Sequence, residues 1–257
     1  MVDLKIVNKI ANLPKKLETI VNDKEIFDVS GRSGDKVYYV GGNIYIKQAN
    51  KNTLQKEYAM TSFLNSFLLA PRVINYISSD CDWLVTEKLN GCQGYQKQYI
   101  EQPEKLAILH GESLKHLHSL STDGCPISYS AEGLLKVTEK NYKAGKFDKN
   151  LCNQSYKNPQ NAWQFVEKHI YNLKTDTLTH GDYCLPNVLY NDFKLSGFVD
   201  LGGAGINDFH FDIFWGLWSL KHNLKTDKYA GAFINAYGKD KVNFETLRVV
   251  EALSIFM

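Results

Sequence analysis

The chain of 257 residues carries a formal net charge of +2 and no basic run longer than two residues, so its electrostatics make no case for nucleic acid. It is 44% apolar and 23% charged. It lacks repeats, low-complexity tracts, an opening apolar stretch of signal-peptide length, and any segment of the ~20 apolar residues needed to span a bilayer, so a soluble cytoplasmic protein is expected.

Residues 4–20 read as a short amphipathic piece broken at Pro14. Residues 26–30 read as a strand, GRSGDK as a polar turn and 37–40 as a second strand. Gly41-Gly42 is a two-residue connector, because both positions tolerate positive φ. The return strand, 43–47, puts Ile44 and Ile46 on one face and Tyr45 and Lys47 on the other. A helix follows, capped by Asn52 or Thr53, with Leu54, Tyr58, Phe63, Leu64, Phe67 and Leu68 at helical spacing and Pro71 as its stop. Strands over 72–77 and 83–87 complete a five-stranded antiparallel sheet with one helix, an α+β lobe. Lys88-Leu89-Asn90-Gly91 then breaks the pattern. The expectation is an N-terminal nucleotide-binding lobe over 1–88 and a mainly helical catalytic and substrate-binding lobe over 89–257. Helices are expected over 103–120, 162–173, 211–222, 227–237 and 244–256, with loops and short helices over 121–161. The five cysteines (81, 92, 125, 152 and 184) are odd in number and never form C-x-x-C, which argues against a disulfide framework or a zinc site.

The chemistry concentrates in residues 179–202, THGDYCLPNVLYNDFKLSGFVDLG. His180, Asp182 and Asn187 form H-x-D-x-x-x-x-N. Strands over 188–190 and 195–199, joined by Asn191-Asp192-Phe193, make a hairpin that returns Asp200 toward the start of the stretch. One carboxylate for a substrate hydroxyl, with a carboxamide and a carboxylate for magnesium, is the equipment of phosphoryl transfer from a nucleotide. The pattern matches the catalytic loop and metal-binding Asp-x-Gly of the protein-kinase architecture. Upstream, Lys47 ends the third strand, and Glu57 is the only acidic residue between Gln48 and Ser79 that can pair with it. A paired lysine is pre-positioned for the α- and β-phosphates, whereas a free one loses rotamer entropy on reaching them. The turn Gly31-Arg32-Ser33-Gly34 offers backbone N–H groups and the Ser33 hydroxyl to a phosphate, yet it is not the G-x-G-x-x-G of protein kinases.

A rival reading takes His180-x-Asp182 with its echo His210-x-Asp212 as a hydrolase metal site. It gives Asn187 and Asp200 no role. The kinase scheme uses all of them, and gives Asp212 the task of hydrogen-bonding the catalytic-loop backbone from a buried helix.

With these residues collected, the chain resembles the aminoglycoside phosphotransferase family, most closely its 3′-phosphotransferase branch. The matching stretches are GRSGDKVYYV, IYIK, LHSL, HGDYCLPN and GFVDLGGAG, with the aspartates of NDFHFDI. The resemblance implies a two-lobed protein-kinase-like fold that moves the γ-phosphoryl of ATP or GTP to a hydroxyl of an aminoglycoside antibiotic, conferring resistance. It implies Asp182 as catalytic base, Asn187 and Asp200 on Mg2+, and Lys47 with Glu57 on the phosphates. Ser33 would lie over the phosphates, and Thr86 to Lys88 would meet the base through the backbone.

The connection from Lys47 to Glu57 is shorter than the branch usually has. The family also binds polycationic sugars with acidic residues late in the chain. Here Ser254, Trp218 and His222-Asn223 stand where acids or an arginine are expected. Asp148, Asp208, Trp218 and His222 are the candidates left for the acceptor. Two other readings stay open: a metabolic kinase of a neutral sugar or amino alcohol, and a non-catalytic kinase-like module that only binds a ligand. The expected partner is a small hydroxylated molecule, with no nucleic acid and no membrane, and the expected state is a monomer or weak dimer.

Overall fold

The computed structural model describes residues 5–31 and 34–257. They form two compact units. One gathers the described residues up to Asn90 together with Gly197–Gly202; the other consists of Gly91–Ser196 and Gly203–Met257.

The first unit is built on β1 (Lys5–Ile6), β2 (Ile26–Asp28), β3 (Lys36–Val40), β4 (Ile44–Asn50), β5 (Val73–Ser78) and β6 (Cys81–Glu87), in the order β1-β2-β3-β4-β6-β5. All neighbouring pairs are antiparallel. The sheet therefore has six strands and not five. The extra one is β1, whose two residues pair with Asp28 and Phe27 and are too few to show an alternation. The connector after β3 also differs, because Val40 pairs with Ile44 and Asn43 joins Gly41 (φ 56°) and Gly42 (φ 81°) in the loop.

Helix α1 (Lys15–Val21) lies on one face, where Leu17 joins Tyr38, Val40, Ile44, Ile46, Trp83 and Val85 in a buried cluster. Helix α2 (Gln55–Asn65) follows β4 and serves the opposite face, where Leu54 packs with Ala49 and Leu84. Because strand side chains alternate, Lys47 falls on that second face with Ala49. Phe67 and Leu68 lie beyond the end of α2, and Leu68 turns to φ 59° with its side chain largely exposed.

In chain order, the second unit contains β7 (Cys92–Gln93), α3 (Lys97–Ile100), α4 (Pro103–Leu117), α5 (Ala131–Lys143), α6 (Lys149–Ser155), α7 (Pro159–His169) and β8 (Thr177–Thr179). Then come β9 (Val188–Asn191), β10 (Lys194–Phe198, whose last two residues belong to the first unit), β11 (Gly205–Asn207), α8 (His210–Leu224), α9 (Ala230–Tyr237) and α10 (Phe244–Ser254). Strands β10, β9 and β7 form one small sheet, and β8 pairs with β11 in another. The expected hairpin is present, and its turn is tighter than expected: Asp192 and Phe193 both take positive φ, 49° and 53°. Residues 121–161 are more regular than their sequence suggests, since α5, α6 and the start of α7 fall there. Helix α5 buries Leu134 and Thr138 and turns Ala131, Leu135 and Tyr142 to the same core, so its apolar stripe is narrow and set in an otherwise polar sequence. Ser130, Asp148 and Asn158 cap the three helices with their side chains. Helix α4 packs along α9, where a Cβ on Gly111 would stand 2.4 Å from the Phe233 carbonyl oxygen. Among the described residues no helix is long and apolar enough to cross a membrane.

Neither Asn52 nor Thr53 caps α2. The acceptor comes from across the sheet: wholly buried Asp82, on β6, takes the Leu54 N–H at 2.9 Å, the Ser78 hydroxyl at 2.6 Å and the Tyr76 hydroxyl at 3.2 Å. Burial alone would raise its pKa; the bonds from Ser78 and from the Leu54 and Asn52 amides outweigh it and bring it below the ordinary value. Asp82→Ala strands these donors and should destabilise the protein by about 2–4 kcal/mol in urea unfolding. Because the folded-state pKa is lowered, the advantage of the unsubstituted protein should be complete above the ordinary carboxylate range and shrink as pH falls through it.

Candidate active site

In the first unit, Lys47 leaves β4 toward α2 and meets three carboxylates. Its Nζ lies 2.7 Å from Glu57 Oε2, 2.9 Å from Asp200 Oδ1 and 3.6 Å from Asp35 Oδ2. Glu57 is on the third residue of α2, so the helix whose start Asp82 fixes delivers the lysine's partner. Burial works against the Lys47 charge, but Glu57 and Asp200 more than offset it and hold its pKa above the usual value. Glu57 is itself pushed up, chiefly by burial. Asp200 reaches Lys47 from a left-handed backbone, φ 59°, a conformation that aspartate tolerates better than most residues and that recurs at functional sites.

In the second unit, the loop between β8 and β9 is organised by Asp212, in the first turn of α8. Its carboxylate accepts the His180 N–H at 2.7 Å and the Gly181 N–H at 2.8 Å. The structural role expected of Asp212 is therefore what the backbone shows. His118 Nε2 adds a third bond to it at 3.0 Å, while His118 Nδ1 faces the Tyr237 hydroxyl at 3.0 Å. Because a carboxylate only accepts, His118 Nε2 is the donor to Asp212. From the sequence His118 has no role beyond packing, though it stands in the LHSL stretch. Beyond Asp182, Ser219 Oγ accepts the Leu185 N–H at 2.9 Å. Tyr183 donates to the His110 carbonyl at 2.8 Å and stacks on the His110 ring, which burial keeps neutral by lowering its pKa to about 3.

The loop brings Asp182 and Asn187 together. Asn187 Nδ2 donates to the Asp182 carbonyl at 3.0 Å and to its Oδ2 at 2.8 Å. Asn187 Oδ1 is then the atom with lone pairs to give, while Asp200 bonds Lys47 through Oδ1 and retains Oδ2. Each, within its own unit, is a hard oxygen donor of the kind magnesium takes. Burial and the neighbouring Asp182 raise the Cys184 thiol, which rules it out as a nucleophile. The metallohydrolase reading does not survive. His210 spends Nδ1 on Asp208 at 2.7 Å and takes the Asn243 N–H on Nε2 at 2.9 Å, and the described residues contain no cluster of three or more His, Cys, Asp or Glu suited to a metal.

Ser33 lies outside the described residues. Thr86 sits in β6 opposite Tyr45, which lies two residues from Lys47 on the same face of β4. The Glu87 amide donates to the Arg72 carbonyl at 2.9 Å and the Lys88 amide to the Asn43 carbonyl at 2.8 Å, so neither is a spare donor for a base.

One acceptor candidate is corrected. Asp208 is almost fully buried and committed to His210 and to the Lys174 N–H at 2.7 Å. Asp148 caps α6 by accepting the Asn150 and Leu151 N–H groups on Oδ1, and the residue is exposed, so its other oxygen stays available. Trp218 and His222 stack on one another, 4.8 Å apart at 11°, on the helix whose Ser219 holds the catalytic loop. Glu251 Oε1 accepts the Ser155 hydroxyl at 2.5 Å.

A paired lysine beside an Asp-x-Gly, and an aspartate bonded to an asparagine five residues on, define a kinase-like phosphotransferase. Residues 28–253 match the model of the phosphotransferase enzyme family (APH), and the chain belongs to that family. It is 34% identical to a probable aminoglycoside 3′-phosphotransferase of Lactococcus lactis subsp. lactis (strain IL1403) over 96% of both chains. It is 29% identical to an aminoglycoside 3′-phosphotransferase of Niallia circulans, covering 95% of this chain and 97% of that one. The crystal structure of an aminoglycoside 3′-phosphotransferase of type VIII superposes with a TM-score of 0.78 at 24% identity, over 94% of this chain and 97% of that chain. An aminoglycoside phosphotransferase of Streptomyces rimosus in complex with ADP and streptomycin superposes with a TM-score of 0.72 at 18% identity, over 88% and 94%. The fold is the kinase-like one of the aminoglycoside phosphotransferases.

Gly181 holds φ 80°, and a Cβ there would stand 2.1 Å from the Gly203 carbonyl oxygen. Gly181→Ala should therefore cost about 2 kcal/mol or more in chemical denaturation, whereas Gly231→Ala, in α9 with no positive φ and nothing near an added Cβ, should be neutral or stabilising by up to about 1 kcal/mol.

Proposed function

We propose that this protein is a cytoplasmic O-phosphotransferase that moves the γ-phosphoryl of ATP or GTP onto a hydroxyl of an aminoglycoside antibiotic, conferring resistance, as a monomer or weak dimer. The observation that carries the reaction class is the pairing of both functional carboxylates. Asp200 and Glu57 bracket Lys47, and Asp182 is fixed by Asn187. A module that only sensed a ligand would have no use for both pairs. Near full-length likeness to two aminoglycoside 3′-phosphotransferases supports the acceptor class.

In this reading Lys47 neutralises the α- and β-phosphates, pre-oriented by Glu57 so that little rotamer freedom is lost on binding. Tyr45 offers an aromatic face to the base beside Thr86. With the Glu87 and Lys88 amides used inside the sheet, Thr86 and Lys88 would meet the base through their carbonyls. Asp182 accepts the proton of the acceptor hydroxyl as its oxygen bonds to the γ-phosphorus. The bond from that phosphorus to the β–γ bridging oxygen breaks, and the nucleoside diphosphate leaves with the electron pair. Asn187 Oδ1 and Asp200 are the proposed magnesium ligands, and the ion, when bound, neutralises charge on the β- and γ-phosphate oxygens. With Asp208 tied into the fold, the remaining acceptor contacts are Asp148, the Trp218–His222 stack and Glu251.

The test is magnesium-dependent release of ADP or GDP across a panel of kanamycin-type aminoglycosides, neutral sugars and amino alcohols. Turnover is expected with the aminoglycosides; turnover confined to the other acceptors would keep the kinase and remove the antibiotic. Asp182→Ala should lower kcat by about 10²–10⁴-fold with little change in nucleotide KM. Near-normal kcat in that variant would overturn the mechanism.

A further inference from the structure

The third carboxylate on Lys47 has no part in the reaction derived above. Asp35 follows the polar turn at the start of β3 and points its Oδ2 at Lys47 Nζ, 3.6 Å away. Lys47 is already satisfied by Glu57 at 2.7 Å and Asp200 at 2.9 Å. Three carboxylates against one ammonium leave a formal charge of −2 among these four side chains. Like charges at this spacing repel unless a cation or a proton intervenes. Glu57 registers that crowding, since Asp200 and Asp35 both add to the upward push that burial exerts on it.

Asp200 and Glu57 each have a role that justifies their place. Asp35 does not. Its side chain is 29% exposed, the Asp200 side chain 51% and the Glu57 side chain 10%, so Asp35 is neither the deep orienting partner nor the most open of the three.

We propose that Asp35 is a competing anion that weakens nucleotide binding: a phosphate reaching Lys47 must displace its carboxylate or bind beside it. This inference rests on the phosphotransferase reading and names a determinant of that same site. Glu57 and Asp200 keep Lys47 oriented without Asp35, so losing Asp35 relieves repulsion and leaves the lysine in place. The opposite effect is expected of any residue that positions the phosphates.

The experiment is calorimetric titration of the full chain with ADP in excess magnesium, comparing the unsubstituted protein with Asp35→Asn, Asp35→Ala and Asp80→Asn. Asp80 is exposed in the turn between β5 and β6 and controls for the change in net charge. Both Asp35 variants should bind about three- to tenfold more tightly, with the gain shrinking as salt is raised. Asp80→Asn should bind as the unsubstituted protein does. Unchanged or weaker binding by both Asp35 variants overturns the inference while leaving the phosphotransferase reading intact, as does an equal gain in Asp80→Asn. Absence of ADP binding by the unsubstituted protein sinks that reading, and the inference with it.

Discussion

A wholly buried carboxylate that gathers three donors is the constraint around which the second unit is arranged. Asp212 takes two consecutive backbone N–H groups and an imidazole, and the N-terminal turn of α8 adds its own partial positive charge. Removing such a charge from water costs several kcal/mol unless geometry returns it, and each supporting element contributes to that return. Helix α8 carries the carboxylate, α4 ends in the histidine, α9 ends in the tyrosine that orients the histidine, and β8 aims the amides. The loop bearing Asp182 is thereby held from its N-terminal side by one ion. From the other side it is held by Ser219 and by the Tyr183–His110 stack.

The first unit solves a similar problem with a different residue. The orientation of Lys47 depends on Glu57, which depends on where α2 begins. That start is set by Asp82, reached across the sheet and not along the chain. Both units thus use a buried aspartate as an acceptor for backbone N–H groups, and both hold a functional residue one step removed from it.

How much of this was legible in the sequence depended on how local the signal was. Asp182, Asn187 and Asp200 announce themselves by spacing, because a single loop and hairpin carry them. Lys47 and Glu57 were found by elimination, since no other acidic residue was near enough in the chain. Strands β8 and β11 were not legible, being three residues each and paired across 26 positions, as Thr179 with Gly205. Helix α5 was obscured by its polar composition. Asp208 was misread because an isolated aspartate looks the same in sequence whether it attracts an amine or accepts a backbone N–H. Only the fold showed that it was already committed. The sixth strand and the cap on α2 were hidden by brevity and by distance along the chain.

The crossing of Gly181 over Gly203 bears on how this chain can diverge. A methyl on Gly203 would meet the Gly181 backbone no closer than 3.5 Å, an ordinary contact, whereas one on Gly181 would be driven into the Gly203 carbonyl. The constraint is one-sided. Lineages can take a first step, a methyl, at position 203, next to the short strand β11 that follows, while position 181 admits none. Novelty in such a protein is therefore channelled away from the residue beside Asp182 and toward the segment that crosses it.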